Sequence, residues 1–192
     1  MTIAALIVAA GKGVRAGGIV PKQFAMLYGK PMLSHSVNAI SSHPAVTEII
    51  VVIGKGQQDL ARENLGESVN FVNFVTGGAE RRDSVRAGLE ALGDKGITRV
   101  LIHDAARPFL PATVIDALLE ALDQAPGAVP LLPVAATPAR SSGSGGGATL
   151  RENVPRAGLN RIQTPQAFHF DAILAAHRAW PAGEEASGGA QR

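Results

Sequence analysis

A glycine-rich stretch carrying basic residues follows the first apolar run of the chain. Residues 11–18 read G-K-G-V-R-A-G-G, and Lys22 comes four residues later. Glycines here let the backbone approach a ligand and turn its N–H groups toward phosphate oxygens. Lys12, Arg15 and Lys22 would then neutralise a polyphosphate during group transfer. We predict that this loop binds a phosphate-bearing anion; the alternative is that these are solvated loop charges.

Two familiar nucleotide-binding motifs are not supported by this stretch. Residues 11–16 fit G-x-G-x-x-A, but the dinucleotide fingerprint also needs a helix that begins here and an acidic residue about 20 positions on. Residues 17–21 contain two glycines and a proline, which oppose a helix, and the first acidic residue is Glu48. The G-K-[ST] of a Walker A loop is absent. We therefore expect no NAD binding.

A second block, T-G-G-A-E-R-R-D-S-V at residues 76–85, ends a predicted strand and begins a predicted helix. The hydroxyl of Ser84 falls in the first helical turn, where it can cap the helix or reach a ligand. Glu80 and Asp83 are equally good candidates for the cap. The block therefore predicts either a plain helix start or a ligand contact through Ser84.

A third block, H-D-A-A-R-P at residues 103–108, ends the fourth predicted strand. An aspartate at the carboxyl end of a central strand, here Asp104, can coordinate a Mg²⁺ ion that bridges phosphates. The alternative is that Asp104 pairs with Arg107. His103 falls inside the strand, so we expect a buried, hydrogen-bonded side chain rather than a general base.

These blocks need a scaffold, and the hydrophobic pattern predicts a parallel sheet with crossover helices. Strands are predicted at residues 3–8, 49–53, 71–75, 100–103 and 128–134. Helices are predicted at residues 32–41, 57–64, 82–92, 112–122 and about 171–180. Because open α/β sheets bind ligands at the carboxyl ends of their strands, we expect the three blocks to meet at one edge. Composition alone predicts that 137–157 is a surface loop; the other interpretation is an arm that grips a second subunit.

The composition fits one α/β domain and excludes several classes of protein. The chain has 192 residues, 46% of them hydrophobic and 18% charged, and a formal net charge of +2. It lacks the clustered basic and aromatic residues of nucleic-acid binders. With no cysteine, disulfides and thiolate chemistry are excluded. The apolar residues 2–10 are too few to cross a bilayer, so we expect a soluble cytoplasmic protein without a membrane partner.

Five blocks occur in the order of a known family: A-A-G-K-G-x-R at 9–15, P-K-Q at 21–23, G-G-x-E-R-x-D-S-V at 77–85, H-D-A-A-R-P at 103–108 and T-P-Q at 164–166. Together they resemble the 2-C-methyl-D-erythritol 4-phosphate cytidylyltransferases of the non-mevalonate isoprenoid pathway. The resemblance covers about residues 3–170. It implies transfer of CMP from CTP to that sugar-alcohol phosphate, with release of pyrophosphate.

The resemblance also implies a fold and a set of site residues. The fold is a Rossmann-like, three-layer nucleotidyltransferase with a mostly parallel twisted sheet, and 1–192 is expected to be one such domain. The implied catalytic residues, which stabilise the pentacoordinate α-phosphate, are Arg15 and Lys22. Nucleotide-binding roles are implied for Ala9, Ala10, Gly11, Lys12, Gly13, Gly78, Ser84 and Asp104. Acceptor-binding roles are implied for Asp104, Arg107, Thr137, Arg156 and Thr164.

The resemblance assigns a Mg²⁺ ion, or another divalent metal, to Asp104. It makes 137–157 a protruding dimerisation arm, so that Thr137 and Arg156 would act in the neighbouring site of a homodimer. The chain departs from the family where D-T-x-K is usual, since residues 136–140 read A-T-P-A-R. A C-terminal segment with a substrate-positioning lysine is also missing, which suggests a fragment or part of a fusion. Alternatives are another polyol-phosphate cytidylyltransferase, such as one using ribitol 5-phosphate, or a weakened nucleotide-binding module.

Overall fold

A computed structural model of the chain describes residues 1–11, 20–142 and 147–180. The described strands are β1 (Ile3–Ala9), β2 (Met26–Leu27), β3 (Lys30–Pro31), β4 (Val46–Ile53), β5 (Asn73–Thr76), β6 (Arg99–Asp104), β7 (Gly127–Ala128), β8 (Leu131–Pro133), β9 (Ala139–Ser142), β10 (Thr149–Asn153), β11 (Asn160–Ile162) and β12 (Gln166–His169). The described α-helices are α1 (Met32–Ser41), α2 (Gln58–Leu65), α3 (Arg81–Glu90), α4 (Ala112–Ala121) and α5 (Phe170–Ala179).

The described strands form a main sheet in the order β5-β4-β1-β6-β12-β7. β1 lies at its centre and pairs in parallel with β4 on one side and β6 on the other. The sequence of β1, I-A-A-L-I-V-A, is continuously apolar, as expected for a parallel strand that is covered on both faces. β5 is also parallel, whereas β12 runs antiparallel to β6. The prediction of a mostly parallel sheet is confirmed.

Helices cover both faces of this sheet and create two hydrophobic cores. On one face, Leu33 and Ile40 of α1 and Ile115 of α4 pack against the sheet. On the other face, Leu89 of α3 and Leu174 of α5 form the second core. The predicted three-layer α/β architecture is therefore confirmed. In the part of the chain that the structure describes, no helix is long and apolar enough to cross a membrane.

Each of the five predicted helices corresponds to one of α1 to α5. For α1, the predicted first and last residues, 32 and 41, agree with the structure. The predicted strand 128–134 is wrong as a single element. β7 joins the main sheet through β12, whereas β8 pairs with β11 in a separate two-stranded ribbon. Pro130 lies between them and has no N–H to donate to a ladder. The predicted strand at 71–75 begins only at Asn73, because a 3-10 helix occupies Gly66–Phe71.

Segment 137–157 contains a two-stranded antiparallel sheet. β9 and β10 pair there, with Ala139 opposite Asn153 and Ser142 opposite Thr149. Every residue of β10 is exposed. The composition-based prediction of a plain loop is therefore wrong for the paired residues. Dimerisation through this segment stays a prediction.

A buried arginine at the start of β6 forms hydrogen bonds to residues at the end of α4. Arg99 is 8% exposed and donates to the Leu119 carbonyl oxygen at 2.7 Å and to the Asp123 carboxylate. We expect Arg99→Ala to lower the free energy of unfolding by about 2 kcal/mol, because the part-buried Leu119 carbonyl loses its donor and the buried arginine side chain is removed. Urea denaturation measures this. Arg86→Ala, which removes a surface pair with Glu90, is the control and should change stability by at most about 0.5 kcal/mol; equal losses would contradict the assignment.

Candidate active site

A cavity of about 1000 Å³ opens at the carboxyl ends of β1, β4, β5 and β6. This volume lies at the upper end of the range for small-molecule sites, about 300–1,000 Å³. The lining residues lie at or beyond the carboxyl ends of these strands: Val8, Ala9, Ala10, Gly11, Lys22, Gln23, Gly54, Lys55, Gln57, Gly77, Gly78, Ala79, Glu80, Arg81, Ser84, Asp104, Ala105 and Ala106. The sequence blocks at residues 9–15, 21–23, 77–85 and 103–108 therefore each contribute described residues to one site, at the sheet edge that the sequence predicted.

The first wall of the cavity is the chain that leaves β1. Ala9, Ala10 and Gly11 line it directly. The side chain of Gln23 is 4% exposed and donates to the carbonyl oxygens of Ala9, at 2.7 Å, and Gly11, at 3.1 Å. This fixes the backbone at the end of β1 and places the neighbouring Lys22 at the cavity wall.

Three predicted site residues of the glycine-rich stretch 11–18 fall outside the described residues. They are Lys12, Gly13 and Arg15. Their roles in binding the triphosphate and stabilising the α-phosphate stay predictions.

The second wall is the turn between β5 and α3. A Cβ atom on Gly77 would lie 2.5 Å from Ser84 Oγ, and one on Gly78 would lie 2.3 Å from the Cβ of Asp83. Asp83 accepts a hydrogen bond from the backbone N–H of Glu80 at 3.2 Å, which makes it part of the helix cap. Ser84 is buried and donates to the Glu80 carbonyl oxygen at 3.1 Å. Its hydroxyl oxygen keeps acceptor capacity at the cavity wall.

The third wall carries the carboxylate of Asp104 between two arginines. One oxygen lies 3.1 Å from the Arg81 guanidinium, and the other lies 3.3 Å from Arg107 Nε. The Asp104 side chain is 32% exposed, so a ligand in the cavity can reach it. Of the two sequence interpretations, pairing with Arg107 is present in this structure. It leaves the carboxylate accessible, so the metal-binding interpretation stays open.

The donor set is compatible with Mg²⁺ only if the substrate supplies most of the ligands. Within the described ranges, no group of three or more His, Cys, Asp or Glu side chains could hold a metal by itself. Mg²⁺ in phosphate-transfer sites commonly takes one or two protein carboxylates, with phosphate oxygens and waters completing the shell. Asp104 at the cavity wall provides one such carboxylate. The residues present therefore fit a metal shared with a triphosphate.

His103 lies beneath this wall and is 1% exposed. Its Nε2 is 3.0 Å from the Arg107 carbonyl oxygen, and its Nδ1 is 3.2 Å from Thr164 Oγ1. Burial lowers the pKa of this imidazole; the Arg107 backbone bond and the Asp104 charge oppose that effect, and the Arg107 charge adds to it. The ring is therefore neutral near pH 7. The prediction of a buried, hydrogen-bonded histidine is confirmed.

The structure brings only part of the predicted acceptor set together. Arg107 and Thr164 lie beside Asp104, since Asp104 N donates to Thr164 Oγ1 at 3.2 Å. Thr137 and Arg156 are exposed and do not line the cavity of their own chain; Arg156 donates to the Ala135 carbonyl oxygen at 3.0 Å. Their predicted role in a neighbouring site stays a prediction.

Four cavity residues with polar or charged side chains were given no role by the sequence analysis. Lys55 and Gln57 follow β4, whose end carries no recognisable motif. Gln23 and Arg81 belong to quoted blocks but received no role. These two could have been found from the sequence, because Gln23 is part of the P-K-Q block and Arg81 is part of the G-G-x-E-R block.

A substitution at Gly78 tests whether the turn between β5 and α3 contacts a bound nucleotide. Gly78→Ala would drive its methyl group into Asp83 and displace the turn. If the cavity binds the nucleotide that the resemblance implies, we expect the dissociation constant for CTP to rise on the order of 10–100-fold, which corresponds to about 1.4–2.8 kcal/mol. Isothermal titration calorimetry measures it. Gly147→Ala, where a Cβ meets nothing within 4 Å, is the control. Unchanged affinity in Gly78→Ala would show that this turn does not contact the nucleotide.

Comparison with known proteins identifies the family. The family model described as IspD: 2-C-methyl-D-erythritol 4-phosphate cytidylyltransferase matches residues 3–190. An enzyme of that name from Cereibacter sphaeroides is 48% identical over 183 residues, which cover 95% of this chain and 80% of the relative. The chain belongs to this cytidylyltransferase family. The resemblance seen in the sequence is thereby confirmed.

Other members of the family agree in fold and differ in length. A 2-C-methyl-D-erythritol 4-phosphate cytidylyltransferase from Thermus thermophilus superimposes with a TM-score of 0.71 at 30% identity, covering 96% of this chain and 81% of that one. The bifunctional enzyme IspD/IspF of Rhizorhabdus wittichii is 57% identical over 190 residues, 99% of this chain but 47% of the relative. The chain thus spans about half the length of that bifunctional relative.

Proposed function

We propose that this chain transfers CMP from CTP to 2-C-methyl-D-erythritol 4-phosphate and releases pyrophosphate. The observation that carries this proposal is the cavity in which the end of β1, the Gly77–Gly78 turn and Asp104 meet. Each of these comes from a sequence block typical of the family to which the chain belongs. The cavity has the size for a nucleotide, and Lys22 and Arg81 supply positive charge at its wall.

The reaction needs positioning and charge stabilisation more than proton transfer. The second pKa of a phosphate monoester is near 6, so the acceptor is mostly dianionic at pH 7 and can attack without a general base. One acceptor oxygen forms a bond to the α-phosphorus of CTP, and the bond from that phosphorus to the bridging oxygen of pyrophosphate breaks. Lys22 at the cavity wall would stabilise the charge on the α-phosphate as this occurs. Arg15 is assigned the same task.

The cytidine would lie against the small residues of the first two walls. Ala9, Ala10 and Gly78 leave room for a flat base, and their backbone groups offer donors and acceptors. Ser84 adds a hydroxyl at the start of α3. Asp104 would hold a Mg²⁺ ion, which would offset part of the charge of the triphosphate. Arg107 would contact the acceptor phosphate, because an arginine can bind it bidentately.

We further propose that two chains form a homodimer through the region after β7. The ribbon of β8 and β11 exposes large apolar side chains: Leu131 is 52% exposed, Leu132 46% and Ile162 58%. Leu131 and Ile162 are directly paired and therefore share one face. A monomer would leave this apolar surface in water, and a second copy would cover it. Thr137 and Arg156 follow the same region and would then reach the partner's site.

Leu131→Asp tests this dimer. We expect it to convert a dimer into a monomer in sedimentation velocity experiments, because a charge would be buried without a partner. Phe71→Asp is the control, since Phe71 is 67% exposed on another element and should leave the dimer intact. A wild-type chain that sediments as a monomer at all concentrations would contradict the proposal.

Competition between acceptors separates the main alternatives. With CTP and Mg²⁺ present, methylerythritol 4-phosphate and ribitol 5-phosphate are offered together, and the products are distinguished by mass. We expect CDP-methylerythritol to predominate; predominance of CDP-ribitol would favour the other polyol-phosphate cytidylyltransferases. CTP binding by calorimetry without any turnover would favour a nucleotide-binding module, for which the departures at residues 136–140 are the motivation.

A further inference from the structure

Asp104 and Arg107 lie on a tight turn whose backbone carbonyl groups accept hydrogen bonds from buried side chains. The Arg107 N–H donates to the Asp104 carbonyl oxygen at 3.0 Å and closes the turn. The Ala105 carbonyl oxygen accepts from Ser36 Oγ at 2.9 Å. The Arg107 carbonyl oxygen accepts from the ring of His103 at 3.0 Å. Two buried side chains thus fix the backbone of this turn from below, while its charged side chains face outward.

The contacts of His103 determine where its proton lies. A carbonyl oxygen only accepts hydrogen bonds, so Nε2, which faces the Arg107 carbonyl, carries the proton. In the neutral ring Nδ1 is then an acceptor. Its partner at 3.2 Å is the hydroxyl of Thr164, which must donate. The tautomer of His103 is therefore set by its two neighbours.

The hydroxyl of Thr164 makes two hydrogen bonds, one as acceptor and one as donor. It accepts from the Asp104 N–H at 3.2 Å and donates to His103 Nδ1. The chain of hydrogen bonds runs from Asp104 N–H through Thr164 and His103 to the Arg107 carbonyl. Its two ends are the two charged residues assigned to the acceptor phosphate. The neighbouring Gln163 also contacts the Arg107 guanidinium through its side-chain oxygen.

We propose that His103 and Thr164 form a positioning pair that fixes Asp104 and Arg107 for the acceptor phosphate. Thr164 then acts through the hydrogen-bond chain and does not itself contact the substrate. This rests on the proposed function, because it assigns Asp104 and Arg107 to the acceptor. A misplacement of about 1 Å in such a group can lower the rate on the order of 100-fold, which makes the pair functionally important.

Steady-state kinetics with Thr164→Val tests the pair. This change keeps the shape and removes the hydroxyl, so we expect KM for the acceptor to rise on the order of 10–100-fold, while KM for CTP changes less than about 3-fold. Thr164→Ser, which retains the hydroxyl, should restore most of the loss. The control His43→Leu removes another buried histidine, bonded to Asp116 at 3.0 Å away from the cavity. It should lower thermal stability without shifting either KM.

The double variant distinguishes a positioning role from direct contact with the acceptor. If the pair acts as a unit, adding His103→Leu to Thr164→Val should raise the acceptor KM no further. Additive effects of the two changes would show that His103 and Thr164 act independently, and this would overturn the proposal. An acceptor KM unchanged in Thr164→Val would also overturn it.

NMR provides a test that needs no turnover. In the ligand-free protein, ¹⁵N chemical shifts should show His103 protonated at Nε2, and Thr164→Val should shift the backbone amide resonances of Asp104 and Arg107. Protonation at Nδ1 would overturn the proposal even if His103→Leu fails to fold. Absence of cytidylyl transfer by the wild-type protein would instead refute the proposed function and leave the hydrogen-bond chain testable by these shifts.

Discussion

Lys22→Ala should lose 10²–10³-fold in kcat, about 2.7–4 kcal/mol of transition-state stabilisation, while the protein stays folded. Lys22 is exposed at the start of a short 3-10 helix and lines the cavity. Its neighbour Gln23 anchors the backbone of Ala9 and Gly11, so the position of residue 22 does not depend on the lysine side chain. The ammonium group is therefore free to act on the ligand. Steady-state turnover measured by pyrophosphate release gives kcat.

Lys30→Ala is the matched control for this prediction. Lys30 belongs to the same N-terminal region but lies on the β2–β3 hairpin, away from the cavity wall. Its removal lowers the net charge equally and should leave kcat within about 2-fold, because a single exposed charge contributes little. If both variants lose the same activity, the effect of Lys22 is one of overall charge. A Lys22→Ala protein that turns over at the wild-type rate would refute the role of Lys22.

Asp104→Asn should lower kcat/KM on the order of 100-fold and weaken the dependence of the rate on Mg²⁺. The amide has the same shape but cannot neutralise a cation, and Mg²⁺ prefers a carboxylate oxygen. The ion pairs of Asp104 with Arg81 and Arg107 are partly exposed. Their loss should change the free energy of unfolding by no more than about 1 kcal/mol. Rates measured across a Mg²⁺ titration separate the metal effect from the fold.

Asp94→Asn provides the comparison for this change. Asp94 is exposed in the turn after α3 and does not line the cavity. Its variant should follow the wild-type Mg²⁺ titration curve. An Asp104→Asn protein with an unchanged Mg²⁺ requirement and unchanged acceptor KM would remove Asp104 from both the metal site and the acceptor site.

The sheet and the location of the site could be predicted because their signals are local. β1 and the second part of β4, residues 49–53, are continuous apolar runs. The blocks at the carboxyl ends of β1, β5 and β6 could be placed together because parallel strands end at one edge of the sheet. Local pattern was insufficient where pairing is non-local. β12 has only four residues, Q-A-F-H, and its place between β6 and β7 depends on partners far along the chain.

The contacts within the site also depend on residues that are distant in sequence, and they could not be predicted from local pattern. The sequence offered metal binding or pairing with Arg107 for Asp104, and no spacing rule indicated that Arg81 also reaches that carboxylate, at 3.1 Å across 23 residues. Gln23 was visible in P-K-Q, yet its role depends on the end of β1 lying beside it. The residue types indicated which functional groups the site contains. Which residues these groups contact could be seen only in the folded structure.

The most direct test of the proposed reaction is a ³¹P NMR time course. The complete protein is mixed with CTP, Mg²⁺ and 2-C-methyl-D-erythritol 4-phosphate. We predict that the triphosphate resonances disappear while those of the diphosphate product and pyrophosphate appear in equal amounts, and that the product has the mass of CDP-methylerythritol. Absence of the diphosphate product under conditions in which CTP is bound would contradict the account.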